Sequence, residues 1–271
     1  MINRNPDMLK RIAQGDAYGA AVEYLPLKHR HLLVEARRFI HYLTHPTHGH
    51  RPGVYTDDTQ MSIAVAEVLL SETFCVDRPV LRHDLANAFV RAFRRDRRKG
   101  YSRKFQAFLE DDSLAGTGLL LLANINPNSK KNGAAMRAVP LGVLENPEDV
   151  IEAACVNASI THDTIEGHLS SVLIALMSHF ALWTDEPFKE FDDWAHQEDI
   201  WFALNRHERE MVDRCVNVPW GGTVKHSDYC SVADATVHAV FTLLIHTRSL
   251  KESMMRAIDW GGDVDSVMAI T

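Results

Sequence analysis

The chain has 271 residues, of which 46% are hydrophobic and 24% charged, and its formal net charge at pH 7 is −7. This length and apolar content suffice for one large hydrophobic core, and no Pro-, Gly- or Ser-rich linker divides the sequence, so we expect a single domain over residues 1–271. The negative charge argues against general affinity for nucleic acids or anionic membranes.

The sequence also predicts a soluble, cytoplasmic protein. No apolar run approaches the roughly 20 residues that span a bilayer, and the first residues do not resemble a signal peptide. The cysteines have no C-x-x-C spacing, which favours buried free thiols in a reducing compartment. They are Cys75, Cys155, Cys215 and Cys230.

The first predicted helix spans about residues 7–25. Its small residues would let another backbone approach closely: Gly15, Ala17, Gly19, Ala20 and Ala21. Asp16 and Glu23 lie seven residues apart, about two helical turns, and would therefore share a face. We interpret Asp16 as a hydrogen-bonded structural carboxylate. Glu23 is a better candidate for function because it precedes the loop that leads to the first acidic cluster.

That loop, residues 44–53, contains His45, His48 and His50 among Pro and Gly residues. A soft-metal site is one interpretation. A mobile, solvated lid is the favoured one, because Pro and Gly break regular structure.

The first acidic cluster, Thr56-Asp57-Asp58, leads directly into a helical pattern of apolar residues at 61, 64, 65, 68 and 69. The same spacing recurs over residues 169–177 and 237–245, and further helices are predicted at about 82–96, 148–158 and 250–258. Convincing alternating strands are absent. The predicted fold class is all-α.

A basic run occupies the end of the helix predicted at 82–96 and the residues that follow it. It contains Arg91, Arg94, Arg95, Arg97, Arg98, Lys99, Arg103 and Lys104. A charged helix face in water is the simpler interpretation. Contact with an acidic partner or a modified nucleic acid is the alternative.

Two short segments follow in the middle of the chain. Asn132-Gly133-Ala134-Ala135-Met136 comes after a polar turn, and small residues at a helix start can expose N–H groups that bind phosphate. A tight helix–helix contact is an equally good interpretation of this segment. In Ser159-Ile160-Thr161-His162-Asp163, His162 alone would be typical of a core or capping histidine.

The second acidic cluster, Asp263-Val264-Asp265-Ser266, follows Gly261-Gly262 and lies 206 positions after the first (57 to 263). Thr56 and Asp263 could simply cap helices, but a cap needs one oxygen and each cluster offers three. Crowded carboxylates raise one another's pKa, and a hard cation such as Mg²⁺ or Mn²⁺ would keep them ionised. The two clusters together are therefore predicted to hold two cations.

Five motifs in this order resemble the ADP-ribosylglycohydrolase family over about residues 10–271: GDAYGAAVE, YTDDTQM, NGAAMRAVPLG, SITHD and WGGDVDS. The resemblance implies an all-α orthogonal helical bundle, two Mg²⁺ or Mn²⁺ ions, and hydrolysis of the bond between ADP-ribose and an acceptor, foremost arginine on proteins. The substrate would be an ADP-ribosylated protein or small molecule, with nucleic acid less favoured.

The resemblance also assigns residues. The implied metal ligands are Thr56, Asp57, Asp58, Asp263, Asp265 and Ser266, and the implied catalytic residues are Glu23, Asp58 and Asp263. The implied ADP-ribose-binding residues are Gly116, Thr117, Asn132, Gly133, Ala134, Met136 and His162.

This sequence departs from the family pattern in three places. Ser266 stands where threonine is usual, which keeps the hydroxyl but loses the methyl group that restricts its rotamer. Lys131 replaces a glycine beside the implied diphosphate loop. The sequence ends at Thr271, so the final helix is expected to have only one or two turns. A catalytically weak or inactive ADP-ribose-binding module, or a di-metal phosphohydrolase that would release AMP, are the alternative functions.

Overall fold

The computed structural model describes residues 7–49, 51–197, 199–228 and 230–271. Within these ranges all regular structure is helical, and β-pairing is limited to isolated bridges. The α-helices are α1 (Met8–Gly19), α2 (His31–Ala36), α3 (Asp57–Leu69), α4 (Arg78–Arg95), α5 (Arg103–Glu110), α6 (Asp112–Ala115), α7 (Gly118–Asn124), α8 (Pro147–Ser159), α9 (Ile165–Trp183), α10 (Phe191–Gln197), α11 (Ile200–Ala203), α12 (Arg206–Asn217), α13 (Val232–His246), α14 (Leu250–Trp260) and α15 (Val264–Ile270). Short 3₁₀ helices span Leu27–His29, Val139–Val143 and Phe188–Glu190. The predicted all-α fold class is confirmed.

The central helices begin at side-chain caps and bury the apolar stripes that the sequence predicts. The Thr164 hydroxyl accepts the Gly167 N–H at the start of α9, and Ser231 accepts the Asp234 N–H at the start of α13. Helix α9 packs against α8, α13 and the 3₁₀ helix at 139–143. The predicted apolar stripes of α3, α9 and α13 therefore lie in the hydrophobic core.

Helix α9 is also long and apolar enough to cross a membrane, so the expectation that no apolar run approaches this length was wrong for this segment. However, 72% of its most apolar window is buried inside the protein. A core helix meets the same criteria, and its burial identifies α9 as one.

The close backbone approach predicted for the first helix occurs between α1 and α15. A Cβ added to Gly19 would lie 2.7 Å from the backbone nitrogen of Asp265, and one added to Gly15 would lie 2.5 Å from the carbonyl carbon of Met268. Only glycine allows the two helices to lie this close. The short final helix is thereby fixed against α1.

Helix α1 ends at Gly19, earlier than the predicted residue 25. The following residues form turns, and Tyr24 has a left-handed backbone with φ of 43°. Its N–H donates to the carbonyl of Gly262 at 2.8 Å. The prediction that Asp16 and Glu23 share a helix face was therefore wrong, because the chain turns to bring Glu23 towards the second acidic cluster.

The four cysteines are free, but they are not uniformly buried as expected. Cys215 is buried, Cys155 and Cys230 are partly buried, and Cys75 is exposed. Burial raises the pKa of the Cys155 thiol to about 11 and that of Cys215 to about 12. These two thiols are held in the unreactive protonated form at neutral pH.

Candidate metal centre

The two acidic clusters meet in space. The first forms the start of α3 and the second the start of α15. Helices α3 and α15 are in contact, and the Ser266 hydroxyl lies near enough to the Asp58 carboxyl to oppose the rise in its pKa that burial causes. Carboxylate oxygens of Glu23, Asp263 and Asp265 all lie within 4.8 Å of one another. Residues separated by about 200 positions thus form one acidic site, which we call the acidic centre.

Asp16 organises the first cluster from α1. Its side chain is buried and accepts the N–H and hydroxyl of Thr56, at 2.9 Å each, and the N–H and hydroxyl of Thr59, at 3.1 and 2.6 Å. Burial raises the pKa of Asp16, while these hydrogen bonds oppose the shift. Both carboxylate oxygens of Asp16 accept hydrogen bonds from Thr56 and Thr59, as expected for a structural, hydrogen-bonded carboxylate.

Simple helix capping does not explain the acidic clusters. Thr56 and Asp263 occupy the N-cap positions of α3 and α15, yet neither side chain accepts a capping hydrogen bond. The Thr56 hydroxyl instead donates to Asp16, and Asp263 accepts the hydroxyl of Tyr24 at 3.2 Å.

A third segment of the chain fixes the second cluster. The Val224 N–H donates to the carbonyl of Gly261 at 3.1 Å, and the Asp263 N–H donates to the carbonyl of Val224 at 2.8 Å. Gly261 and Gly262 have φ of 67° and 84°, a backbone region that favours glycine. The paired glycines are therefore required for the turn that presents Asp263.

The acidic centre is electrostatically unfavourable by itself. The pKa values of Asp57, Asp58 and Asp265 are raised well above the ordinary range, first by burial and then by neighbouring carboxylates. Among the described residues, one oxygen of Asp58 and one of Asp265 are buried with no hydrogen-bond partner. Buried polar atoms are normally satisfied. The site thus has the unmet charge and the open oxygen ligands that suit a hard divalent cation.

Two histidines hold Glu23 at the edge of the acidic centre. His45 is buried, and its Nε2 bonds the Glu23 carbonyl at 2.8 Å, while Nδ1 of His48 lies 3.4 Å from the Glu23 carboxylate. The two rings stack with centroids 3.8 Å apart. The expectation of a solvated lid was wrong for His45, and His50 lies outside the described residues. Burial raises the pKa of Glu23, with His48 opposing the shift.

The segment from Asn132 to Met136 forms turns that lead into the 3₁₀ helix at 139–143, so the predicted helix start was wrong. The Asn132 amide donates to the Thr236 hydroxyl at 3.1 Å. The carbonyls of Ala134 and Met136 accept side chains of α8 and α3, from Asn157 and Ser62. The segment is thus tied to three helices, through one side chain and two backbone carbonyls.

His162 packs directly on this segment. A Cβ on Gly133 would lie 2.7 Å from Cε1 of His162. Burial, together with the charges of Arg137 and Lys131, lowers the pKa of His162 well below its usual range, so the imidazole is neutral. Of the implied ADP-ribose-binding residues, His162 and Asn132–Met136 therefore lie together.

Arg137, which sequence analysis did not single out, fixes the tautomer of His162. Its buried guanidinium donates to the Thr161 hydroxyl at 2.8 Å, and that hydroxyl lies 2.6 Å from Nδ1 of His162. Arginine can only donate, and among the described residues Nδ1 of His162 is the only acceptor for the Thr161 hydroxyl proton. The arrangement that satisfies both groups therefore has the hydroxyl donating to Nδ1 and the neutral ring carrying its proton on Nε2. This nitrogen faces Gly133, where it can donate a hydrogen bond to a bound anion.

Gly116 and Thr117 lie in the turn that leads into α7, beside α4. The Thr117 hydroxyl caps α7 by accepting the Leu120 N–H at 3.2 Å, and the next residue, Gly118, donates its N–H to Asn87 of α4 at 3.0 Å. Among the described residues, the hydrogen bonds of this turn lead to α4 and α7, and none reaches the acidic centre.

The connection between α4 and α5 covers Asp57, and this was not predicted. Gly100 has φ of 119°, and a Cβ there would lie 2.8 Å from Cβ of Thr56 and nearer still to the Asp57 carboxylate. Tyr101 is buried and donates its hydroxyl to Gln60 at 2.7 Å. The sequence signal for this close contact was Gly100 itself, directly after the basic run. The sequence did not indicate that the glycine would pack against Thr56 and Asp57.

The chain is similar to known proteins over most of its length. The ADP-ribosylglycohydrolase family model matches residues 12–271. An uncharacterised protein of Archaeoglobus fulgidus is 26% identical over 96% of this chain and 82% of its own length. ADP-ribosylhydrolase ARH3 of Xenopus tropicalis is 33% identical over 47% of this chain and 37% of its own length, and that of Gallus gallus is 30% identical over 54% and 40%.

A solved structure described as an ADP-ribosylglycohydrolase-related protein complex shares the fold. It superposes with a TM-score of 0.64 at 23% identity, covering 99% of this chain and 84% of its own. The fold type expected from the sequence motifs is thereby confirmed. Since the family match extends over nearly the whole sequence, the chain belongs to the ADP-ribosylglycohydrolase family.

Proposed function

We propose that the protein is a metal-dependent hydrolase that cleaves the glycosidic bond between ADP-ribose and an acceptor, with arginine of an ADP-ribosylated protein as the foremost acceptor. The observation that carries the proposal is the pair of buried oxygens without partners, one on Asp58 and one on Asp265, contributed by opposite ends of the chain. The family membership and the similarity to ADP-ribosylhydrolases support it. A cytoplasmic location is part of the same proposal.

The donor set fits two Mg²⁺ or Mn²⁺ ions, because it consists of carboxylates and hydroxyls. The residues that would hold them are Thr56, Asp57, Asp58, Asp263, Asp265 and Ser266. When bound, such cations polarise oxygen ligands and lower the pKa of water.

Residues of the chain would transfer the proton and bind the diphosphate. In the net reaction, the bond from C1″ of ADP-ribose to the acceptor breaks, the water oxygen joins C1″, and the acceptor receives a proton. Glu23 is suited to carry that proton, because burial raises its pKa towards the range useful for acid–base catalysis; Asp58 is the second candidate. Asn132–Met136 and neutral His162 would hold the diphosphate by hydrogen bonds.

The test measures free ADP-ribose released from an ADP-ribosyl-arginine peptide in the presence of Mg²⁺ or Mn²⁺. Asp57→Ala and Asp263→Ala should each reduce release at least about 100-fold. The exposed Asp213→Ala serves as the matched control and should retain wild-type release. Full activity in both cluster variants with metal still bound contradicts the proposal. Tight ADP-ribose binding without release would indicate a binding module, and AMP as product would indicate a phosphohydrolase.

A further inference from the structure

The positive charge of this acidic protein is concentrated in one segment. Residues 91–104 contain eight Lys or Arg side chains and one acidic residue, Asp96, giving a formal charge of +7. The whole chain carries −7, so the other 257 residues together carry −14. Such segregation creates a local potential opposite in sign to that of the whole protein.

This segment borders the acidic centre. It comprises the last turns of α4, the connection that contains Gly100, and the start of α5. Gly100 lies against Thr56 and Asp57, and the Gln60 amide of α3 donates to the carbonyls of Ala92, at 3.1 Å, and Asp96. The basic segment is therefore fastened to the helix that supplies the first acidic cluster.

Part of the positive charge is already neutralised within the protein. Three arginines form ion pairs: Arg94 with Asp112, Arg95 with Glu67, and Arg98 with Asp96. The other five basic side chains are exposed and have no ion pair among the described residues. They are Arg91, Arg97, Lys99, Arg103 and Lys104, which we call the basic rim.

We infer that the basic rim binds an acidic stretch of the protein that carries the ADP-ribose, beside the modified residue; this rests on the proposed function. Five unpaired cations on a segment that contacts the acidic centre favour a polyanionic stretch near the proposed scissile bond. An acidic polypeptide fits better than a nucleic acid strand. The aromatic side chains of the segment, Phe93 and Tyr101, are buried and offer no surface on which bases could stack.

The experiment compares peptides that carry one ADP-ribosyl-arginine flanked by Asp and Glu, by Gly and Ser, or by Lys. The measured quantity is the ratio of kcat/KM for the acid-flanked over the neutral peptide. Wild type should favour the acid-flanked peptide by about tenfold at low salt, with the preference fading towards about 0.5 M salt. Arg97→Glu/Lys99→Glu should remove or invert it, and Arg103→Glu/Lys104→Glu should reduce it.

The matched control is Lys189→Glu/Arg206→Glu, which changes the net charge by the same amount on 3₁₀ helix 188–190 and α12 and should keep the wild-type ratio. An ADP-ribosylated oligonucleotide is included as a fourth substrate. A wild-type ratio near one, an unchanged ratio in both rim variants, or preferred, rim-dependent cleavage of the oligonucleotide would each overturn the inference.

A binding measurement separates failure of this inference from failure of the proposed function. Fluorescence anisotropy with an unmodified acidic peptide and its Lys-substituted counterpart requires no turnover. Rim-dependent binding of the acidic peptide without hydrolysis of any substrate would support the basic rim and refute the hydrolase. Hydrolysis without rim-dependent binding or preference would support the hydrolase and refute the basic-rim inference.

Discussion

Replacing Gly19 with alanine should disturb the acidic centre from outside it. The added Cβ would lie 2.7 Å from the Asp265 backbone nitrogen, whereas ordinary contacts begin at 3.4 Å, so α1 and α15 must separate by about 0.7 Å or more. The obstructing atoms belong to backbone and cannot rotate away. Overpacking of this kind costs about 1–3 kcal/mol, and the gain from removing a helical glycine offsets at most about 1 kcal/mol.

Because the clash is with backbone, the upper part of the overpacking range applies, about 2–3 kcal/mol, and an offset of about 1 kcal/mol leaves a net loss of about 1–2 kcal/mol in the free energy of unfolding. Displacement of Asp265 should also weaken Mn²⁺ binding about tenfold, as changes behind metal ligands commonly do. Chemical denaturation with chelator measures the first effect and titration calorimetry with Mn²⁺ the second.

Gly221→Ala is the control, because a Cβ at that exposed position meets nothing within 4 Å and should change neither quantity. If Gly19→Ala has wild-type stability and Mn²⁺ affinity, the close approach of α1 and α15 does not position the second cluster.

Three further predictions concern neighbouring features. Gly100→Ala should cost about 1–3 kcal/mol because its φ of 119° and the nearby Thr56 both exclude a side chain; an unchanged denaturation midpoint would contradict this. Thr161→Val should cost about 1–3 kcal/mol of stability and release His162 from the Nε2–H tautomer, which ¹⁵N NMR detects. Thr161→Ser keeps the hydroxyl and should retain both the stability and the tautomer. Retention of the tautomer in the valine variant would show that the hydrogen bonds from Arg137 through Thr161 do not fix it. Metal-free protein should lose stability as the pH rises above about 4, the ordinary carboxyl pKa of the unfolded chain, because the folded state, with its raised carboxyl pKa values, still holds protons that the unfolded state has released. Mn²⁺ should stabilise the protein more at the higher pH, and melting curves with chelator that show the opposite slope would refute the assigned pKa directions.

Local sequence patterns were sufficient to predict the long helices and to identify the two acidic clusters. The periodic apolar residues of α3, α9 and α13 are buried as predicted, and small residues in α1 correctly indicated close packing. The end of α1 was missed because no local signal separates Gly19 from the residues after it. The turn there is stabilised by a hydrogen bond from Tyr24 to Gly262, at the other end of the sequence.

The supporting residues of the site were harder to predict for the same reason. Asp16 acquires its role only when Thr56 and Thr59 are placed against it. Arg137 stands in a small-residue segment, where a charged side chain could have been recognised as buried and bound, but its acceptors on α8 and beyond it depend on tertiary packing. Long-range contacts of this kind are not encoded in periodicity or spacing.

The two backbone hydrogen bonds by which Val224 holds Gly261 and Asp263 have a consequence for how this family could diversify. Because a residue outside both motifs holds the peptide bonds on either side of Gly262, insertions or deletions in the loop around Val224 would displace Asp263 and so alter the proposed ion affinity without changing any proposed ligand. Selectivity for new substrates acquired through that loop would therefore bring altered divalent-ion requirements with it.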